Sequence, residues 1–200
     1  KFNKSDFIHF LRENEISFSY ERTIDEKIMK KIINLNPQII FNCSPIIISK
    51  NFINKISIPL INFHGARLPQ YRGAANYFWV MINNEKETNG TLHYINSGLD
   101  SGNIIFETKK LDLTNYKTVF EIYYDILLNG QDLIYKFWEC ILRNKEIHSI
   151  KQNENSANTR SFPKSSDIYH LYKNGYKVIC IKDLLKIKSI IFNKKFFDTI

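Results

Sequence analysis

Four short apolar runs, QIIFNC (38–43), ISIPLINFH (56–64), TLHYI (91–95) and NIIFETKKL (103–111), alternate with segments of helical period. This alternation limits the fold more than any other feature of the chain. Runs of this kind read as buried strands, and strands separated by helices imply an α/β domain with an open, mostly parallel sheet flanked by helices. Helical spacing appears in residues 4–14 and again in KIMKKIINL, which follows a capping box at Thr23–Glu26 and stops before Pro37. A brief helix or turn is expected between 45 and 55, and a further helix over 74–84. A second capping box, Thr118 with Glu121, opens a long helix to about Arg143 with Phe120, Ile122, Ile126, Leu127, Ile134 and Phe137 as its core stripe. ISFSY (16–20) alternates as an additional strand.

Residues 1–149 are therefore expected to form the core domain. Residues 150–164 are polar and aperiodic, a linker or surface loop. Beyond them the chain reads as helix and then strand, so 150–200 is expected to be a linker with a small extension packed back on the core.

Composition narrows the function classes. The chain has 200 residues, is 44% hydrophobic and is globular rather than disordered. Its formal charge of +8 comes from basic residues spread along the chain, densest near Lys182, Lys186, Lys188, Lys194 and Lys195. That distribution fits a generally basic surface, suited to polyanionic small substrates, better than a nucleic-acid groove. A basic RNA-associated module stands as the rival. Cys43, Cys140 and Cys180 lie far apart without CxxC spacing, which reads as reduced thiols in a cytoplasmic protein, with no disulfide framework and no metal site. No run approaches membrane-spanning length and no signal peptide is evident. The chain opens at Lys1, as a sequence beginning inside a longer protein would.

Five of the seven glycines (Gly65, Gly73, Gly90, Gly98 and Gly102) fall between residues 65 and 102, where a site built on loops is expected. Strand alternation puts Asn62 and His64 on one face at the end of the 56–64 strand, and open parallel sheets bind ligands at carboxyl strand ends. Such a pair can simply satisfy loop backbone groups. A stiff turn, Leu68-Pro69-Gln70-Tyr71-Arg72-Gly73, follows, and the loop NSGLDSG brings Asp100 to a neighbouring strand end. Together the three residues suit acyl transfer to an amine. Asn donates to the oxygen that becomes negative, His shuttles protons or stabilises that oxygen, and Asp orients the His and takes a proton from the attacking ammonium. A partly buried carboxylate would have its pKa raised for that task. His93 is expected to be a satisfied core histidine.

The stretch NFHGARLPQYRGAANYFWVMINNEKETNGTLHYINSGLDSGNII resembles the signature of the 10-formyltetrahydrofolate-dependent formyltransferases, a family that includes glycinamide ribonucleotide, methionyl-tRNA and sugar-nucleotide N-formyltransferases. Asn62-x-His64, Leu68 to Gly73 and Asp100 to Ile104 carry the resemblance, which extends more weakly over residues 1–145. It implies a Rossmann-like fold whose first strand–helix unit is missing from the chain, with Asn62, His64 and Asp100 as the catalytic trio. It also implies 10-formyltetrahydrofolate as donor, its pterin against Ile46, Ile47, Ile48, Asn96, Ser97 and Asp100. Arg67, Tyr71 and Arg72 are the candidates for contacting the acceptor, and bracing the loop is the favoured role for Arg72. Ala66-Arg67 stand where the family commonly has Ser-Leu, and Asn89-Gly90-Thr91 where it has Gly-Val-Thr. About fifty residues follow the core, fewer than a tRNA-gripping domain needs, and Tyr71, Tyr77, Phe78 and Trp79 could stack on a sugar or base. The expected acceptor is therefore the amine of a nucleotide-linked deoxyamino sugar. Methionyl-tRNA, another small amine, or a non-catalytic folate- or nucleotide-binding role are the alternatives. Expected partners are small molecules and a homodimeric copy, with nucleic acid disfavoured and no membrane.

Overall fold

The computed structural model describes residues 9, 11–19, 21, 25–42 and 47–192. Strands β1 (Ile40–Asn42), β2 (Leu60–His64), β3 (Arg72–Gly73), β4 (Glu87–Thr88), β5 (Thr91–Tyr94), β6 (Ile104–Glu107), β7 (Leu111–Asp112) and β8 (Thr159–Arg160) alternate with helices α1 (Glu26–Asn34), α2 (Lys50–Lys55), α3 (Asn76–Ile82), α4 (Val119–Leu142), α5 (Ser165–Lys173) and α6 (Ile181–Phe192). The main sheet has the order β1-β2-β5-β6. β1 and β2 are parallel and joined through α2, whereas β5 runs antiparallel to both β2 and β6. Three of the four strands thus point the same way, and β5 is the reversed member. No helix among the described residues is long and apolar enough to cross a membrane.

Local chemistry explains the element ends. Thr118 accepts from the Glu121 amide while Glu121 reaches back to the Thr118 amide, so the capping box expected at this helix start forms. Helix α1 begins later than its sequence signal. Asp25 is its cap, with Oδ1 accepting from the Ile28 amide at 2.9 Å, while Thr23 lies outside the described residues. Residues 16–19 form no strand: Ile16 and Phe18 are both 46% exposed, so the alternating face finds nothing to cover it. The expected strand 103–111 is divided. Its first half pairs with β5, the Thr108 hydroxyl accepts from the Gly90 amide, and the second half pairs with β4 instead.

The strand expected near the end of the chain is a helix, α6. Asp183 returns to the Cys180 amide at 2.7 Å and fixes the helix start, which overrides the β-branched composition. The segment before it contacts the start of α4, where the Val119 amide donates to the Lys177 carbonyl at 2.9 Å. Leu171 of α5 is fully buried in one cluster with Tyr71, Phe78, Ile122 and Ile126, so residues beyond 150 share the core of the preceding ones.

The buried stripe of α4 runs Ile122, Ile126, Gly130, Leu133 and Phe137, while Leu127, expected in it, is exposed. Gly130 is there because the helix approaches Phe63 of β2 closely. A Cβ at Gly130 would lie 2.5 Å from the Phe63 ring, and one at Gly90 would meet the same ring at 2.5 Å. Both glycines thus leave room for the tip of the same ring. Gly130→Ala is therefore expected to destabilise the protein by about 1 kcal/mol or more, overpacking of about 1–3 kcal/mol exceeding a helix-propensity gain of about 1 kcal/mol. Urea denaturation checks the sign, and a stabilised variant would contradict this packing.

Candidate active site

Two strands and one loop build the site. β2 presents Asn62 and His64 on one face, and the antiparallel register sets His93 of β5 directly opposite Asn62. Beyond β5 the loop turns back, and Asp100, at φ +48°, swings its carboxylate over the end of β2. His64 is buried and Asp100 nearly so, with a side chain 15% exposed.

The contacts assign each group an orientation. His64 Nε2 lies 2.6 Å from the Tyr71 carbonyl, so Nε2 carries a hydrogen and donates it. The other ring nitrogen, Nδ1, faces Asp100 Oδ2 at 3.6 Å, and protonation at Nδ1 makes this contact an ion pair. Asp100 Oδ2 also accepts from the Gly73 amide at 2.8 Å. His93 donates from Nδ1 to the Tyr94 carbonyl at 2.8 Å, which leaves Nε2 as an acceptor for the Asn62 amide at 3.3 Å. That pairing uses one hydrogen of Asn62 Nδ2 and fixes the plane in which the second is offered.

Burial drives the His93 pKa down to about 4, helped by the positive charge of His64 and Arg72 and opposed by the Tyr94 hydrogen bond and Asp100. His93 is accordingly neutral near pH 7, as an acceptor for Asn62 must be. Its folded pKa lies below the unfolded value of about 6.5, so the unfolded chain binds the extra proton, and stability falls as pH drops from about 6.5 toward 4. Denaturation midpoints across that window are expected to fall more steeply for the wild type than for His93→Gln. Equal slopes would mean that His93 is charged in the folded protein.

The other sequence candidates fall in different places. Tyr71 is buried with its hydroxyl on Glu85 Oε1 at 2.5 Å, its pKa pushed up to about 12 by burial and that carboxylate. It meets the trio through its carbonyl alone. Arg72 is buried and bonds Gln152 and Glu154, the bracing role favoured for it, although side chains rather than carbonyls are its partners. Arg67 sits 3.7 Å from Glu85, with its Nε buried and unpartnered. Phe78 is core and Tyr77 packs against it, and Trp79 donates to the Ser161 carbonyl and lies under Arg160, so these aromatics offer little open stacking surface. Ile46 lies outside the described residues. Ile47 is 80% exposed, Ile48 packs against the cluster of Met29, Phe52 and Leu60, and Ser97 is exposed beside Asn96, whose side chain accepts from Gly98 and Ser101. Sequence reasoning missed the His93–Asn62 pair, whose only signal was the antiparallel pairing, and Gln152, which lies in an aperiodic polar stretch.

The profile of the formyl transferase family matches residues 3–134, well over half of the chain. The chain belongs to this family. Among curated formyl transferases, the methionyl-tRNA formyltransferase of Clostridium beijerinckii is 28% identical over 188 residues, 82% of this chain and 61% of that protein. The chain thus spans less than two thirds of that relative's length. Two solved formyl transferases share the fold at 23% identity. One is PseJ from Anoxybacillus kamchatkensis, crystallised with a UDP-linked formamido sugar and tetrahydrofolate (TM-score 0.65, covering 87% of this chain and 89% of PseJ). The other is the methionyl-tRNA formyltransferase of Clostridium thermocellum (TM-score 0.57, 94% and 76%). This likeness bears out the Rossmann-like α/β class.

Proposed function

We propose that this chain transfers a formyl group from 10-formyltetrahydrofolate to a primary amine, and that the amine belongs to a nucleotide-linked deoxyamino sugar. The observation that carries the reading is the convergence of Asn62, His64 and Asp100, a neutral donor, an imidazole and a carboxylate, at one strand end.

The residues present suit the donor. Ile48 and Ile95 both pack on the cluster of Met29, Phe52 and Leu60, so the 47–48 segment and the start of the 95–100 loop share one apolar base. Ile47 and Leu99 are exposed, as are Asn96 and Ser97, and apolar side chains beside polar groups are what a flat pterin ring requires. When bound, the folate supplies the formyl carbon. Asn62 then donates its second amide hydrogen to the oxygen on which negative charge develops. His64, held by the Tyr71 carbonyl, adds a positive charge beside that oxygen when protonated at Nδ1. Asp100 is within reach of both imidazoles and takes the proton that the amine must lose.

For the acceptor, Arg67 stands in place of the family's usual Leu, and its guanidinium, 31% exposed and 3.7 Å from Glu85, favours a phosphate-bearing amine. The net charge of +8 would draw such an acceptor in. Methionyl-tRNA carries phosphate too, and the similarity to the Clostridium beijerinckii enzyme favours it as the second reading. The protein should be incubated with 10-formyltetrahydrofolate and a panel of UDP- and dTDP-linked amino sugars, methionyl-tRNA and free amino sugars. Formylation of a nucleotide sugar is expected. Formylation of methionyl-tRNA alone would replace this acceptor by the second reading, and no formylated product would overturn the transfer itself.

A further inference from the structure

Gln152 is a buried polar side chain, 4% exposed, in a stretch that is otherwise mostly exposed loop. Its amide has four hydrogen-bonding positions, and all four are filled. Oε1 accepts from Arg72 Nε at 3.0 Å and from a terminal nitrogen of Arg72 at 2.8 Å. Nε2 donates to the Asp100 carbonyl at 2.8 Å and to the Gly102 carbonyl at 2.7 Å. A buried amide satisfied at every position has one orientation only, because a flip would set oxygen against two carbonyls and NH2 against a guanidinium.

The residue it holds needs holding. Asp100 has φ +48°, a sparsely populated conformation for a residue with a side chain, and it lies in a loop whose preceding residues, 96–99, are exposed. Asp100 is gripped at two points, its carbonyl by Gln152 and its carboxylate by the Gly73 amide. Arg72 precedes Gly73 in β3 and bonds Gln152, so both grips belong to one rigid unit. Glu154 completes it by pairing with the far side of the guanidinium at 2.7 and 2.9 Å.

We propose that Gln152 is a positioning residue for the reaction: through the Asp100 and Gly102 carbonyls it fixes the loop that aims the Asp100 carboxylate at His64. This rests on the formyl-transfer reading only for what the aimed carboxylate does; the hold on Asp100 is independent of it. A carboxylate displaced by about 1 Å loses on the order of a hundredfold in rate while leaving substrate affinity nearly intact.

Two variants separate the two halves of the amide. Gln152→Glu keeps the volume and an oxygen for Arg72 but replaces the Nε2 donor by an oxygen facing two carbonyls. Gln152→Met removes both halves. Two quantities are measured in the full chain: amide hydrogen exchange of Gly73, whose N–H donates to Asp100, against Leu92 in β5, and kcat and KM for the amine. In both variants the Gly73 amide is expected to exchange at least tenfold faster with Leu92 unchanged. On the acceptor identified for the wild type, kcat should fall about a hundredfold with KM within about threefold. Unchanged Gly73 exchange overturns the proposal, as does Gln152→Glu retaining full kcat, because either outcome assigns the residue to Arg72 rather than Asp100. Faster exchange at Leu92 as well would make Gln152 a general stability residue and equally sink the idea. If the wild type formylates no acceptor, the formyl-transfer reading fails, and the exchange data still decide whether Gln152 holds Asp100.

Discussion

Replacing Asp100 by Asn is expected to reduce kcat by about a thousandfold while KM for both substrates stays within a few-fold, the loss reaching the range typical of removing a general base. The substitution is nearly isosteric. An Asn side-chain oxygen can still accept from the Gly73 amide, so the loop that holds residue 100 keeps its anchor and the fold persists. What disappears is the charge, 3.6 Å from His64 and 3.8 Å from His93, and with it the group able to receive a proton from the attacking amine. Steady-state kinetics on purified protein with an unchanged denaturation midpoint is the measurement. A loss below about threefold would remove Asp100 from the chemistry and leave the proton to bulk water or to the leaving group.

Asn62→Ala is expected to cost about 10²–10³ in kcat, roughly 3–4 kcal/mol of transition-state stabilisation, with a much smaller change in KM. The hydrogen bond is strongest in the transition state. A neutral carbonyl oxygen gains little from the amide, whereas the oxygen of the tetrahedral species carries a full charge in a buried setting. The variant also strips His93 Nε2 of its donor, and an unsatisfied buried acceptor costs on the order of 1–3 kcal/mol of stability. Activity must therefore be compared at a temperature well below the lowered midpoint. A rise in KM with kcat unchanged would make Asn62 a binding residue rather than a stabiliser of the developing charge.

Much of this site could be read in the sequence because its parts obey local rules. The two-residue period of β2 places Asn62 and His64 on one face whatever the tertiary structure, and the capping box at Thr118 determines its own helix start. The parts that escaped depend on distant partners. Arg72 meets Gln152 and Glu154 across 80 and 82 residues, so nothing local distinguishes the amide at 152 from its polar neighbours. His93 was legible as a core histidine, but its role in fixing the Asn62 amide needed the antiparallel register of β5. For α6 the β-branched residues favoured a strand, and a single buried carboxylate, Asp183, decided for a helix. Alternation in 16–19 failed for the opposite reason, since a strand pattern without a covered face gains nothing from its apolar side chains.

Formyl transfer at this site requires the formyl carbon to be delivered to the end of β2. A crystal structure of the protein with a formylated tetrahydrofolate measures this directly. The formyl oxygen is expected at about 3 Å from Asn62 Nδ2, with the carbon on the side of Asp100 that faces His64. A folate seated with its formyl group beyond reach of both Asn62 and His64 would contradict the account.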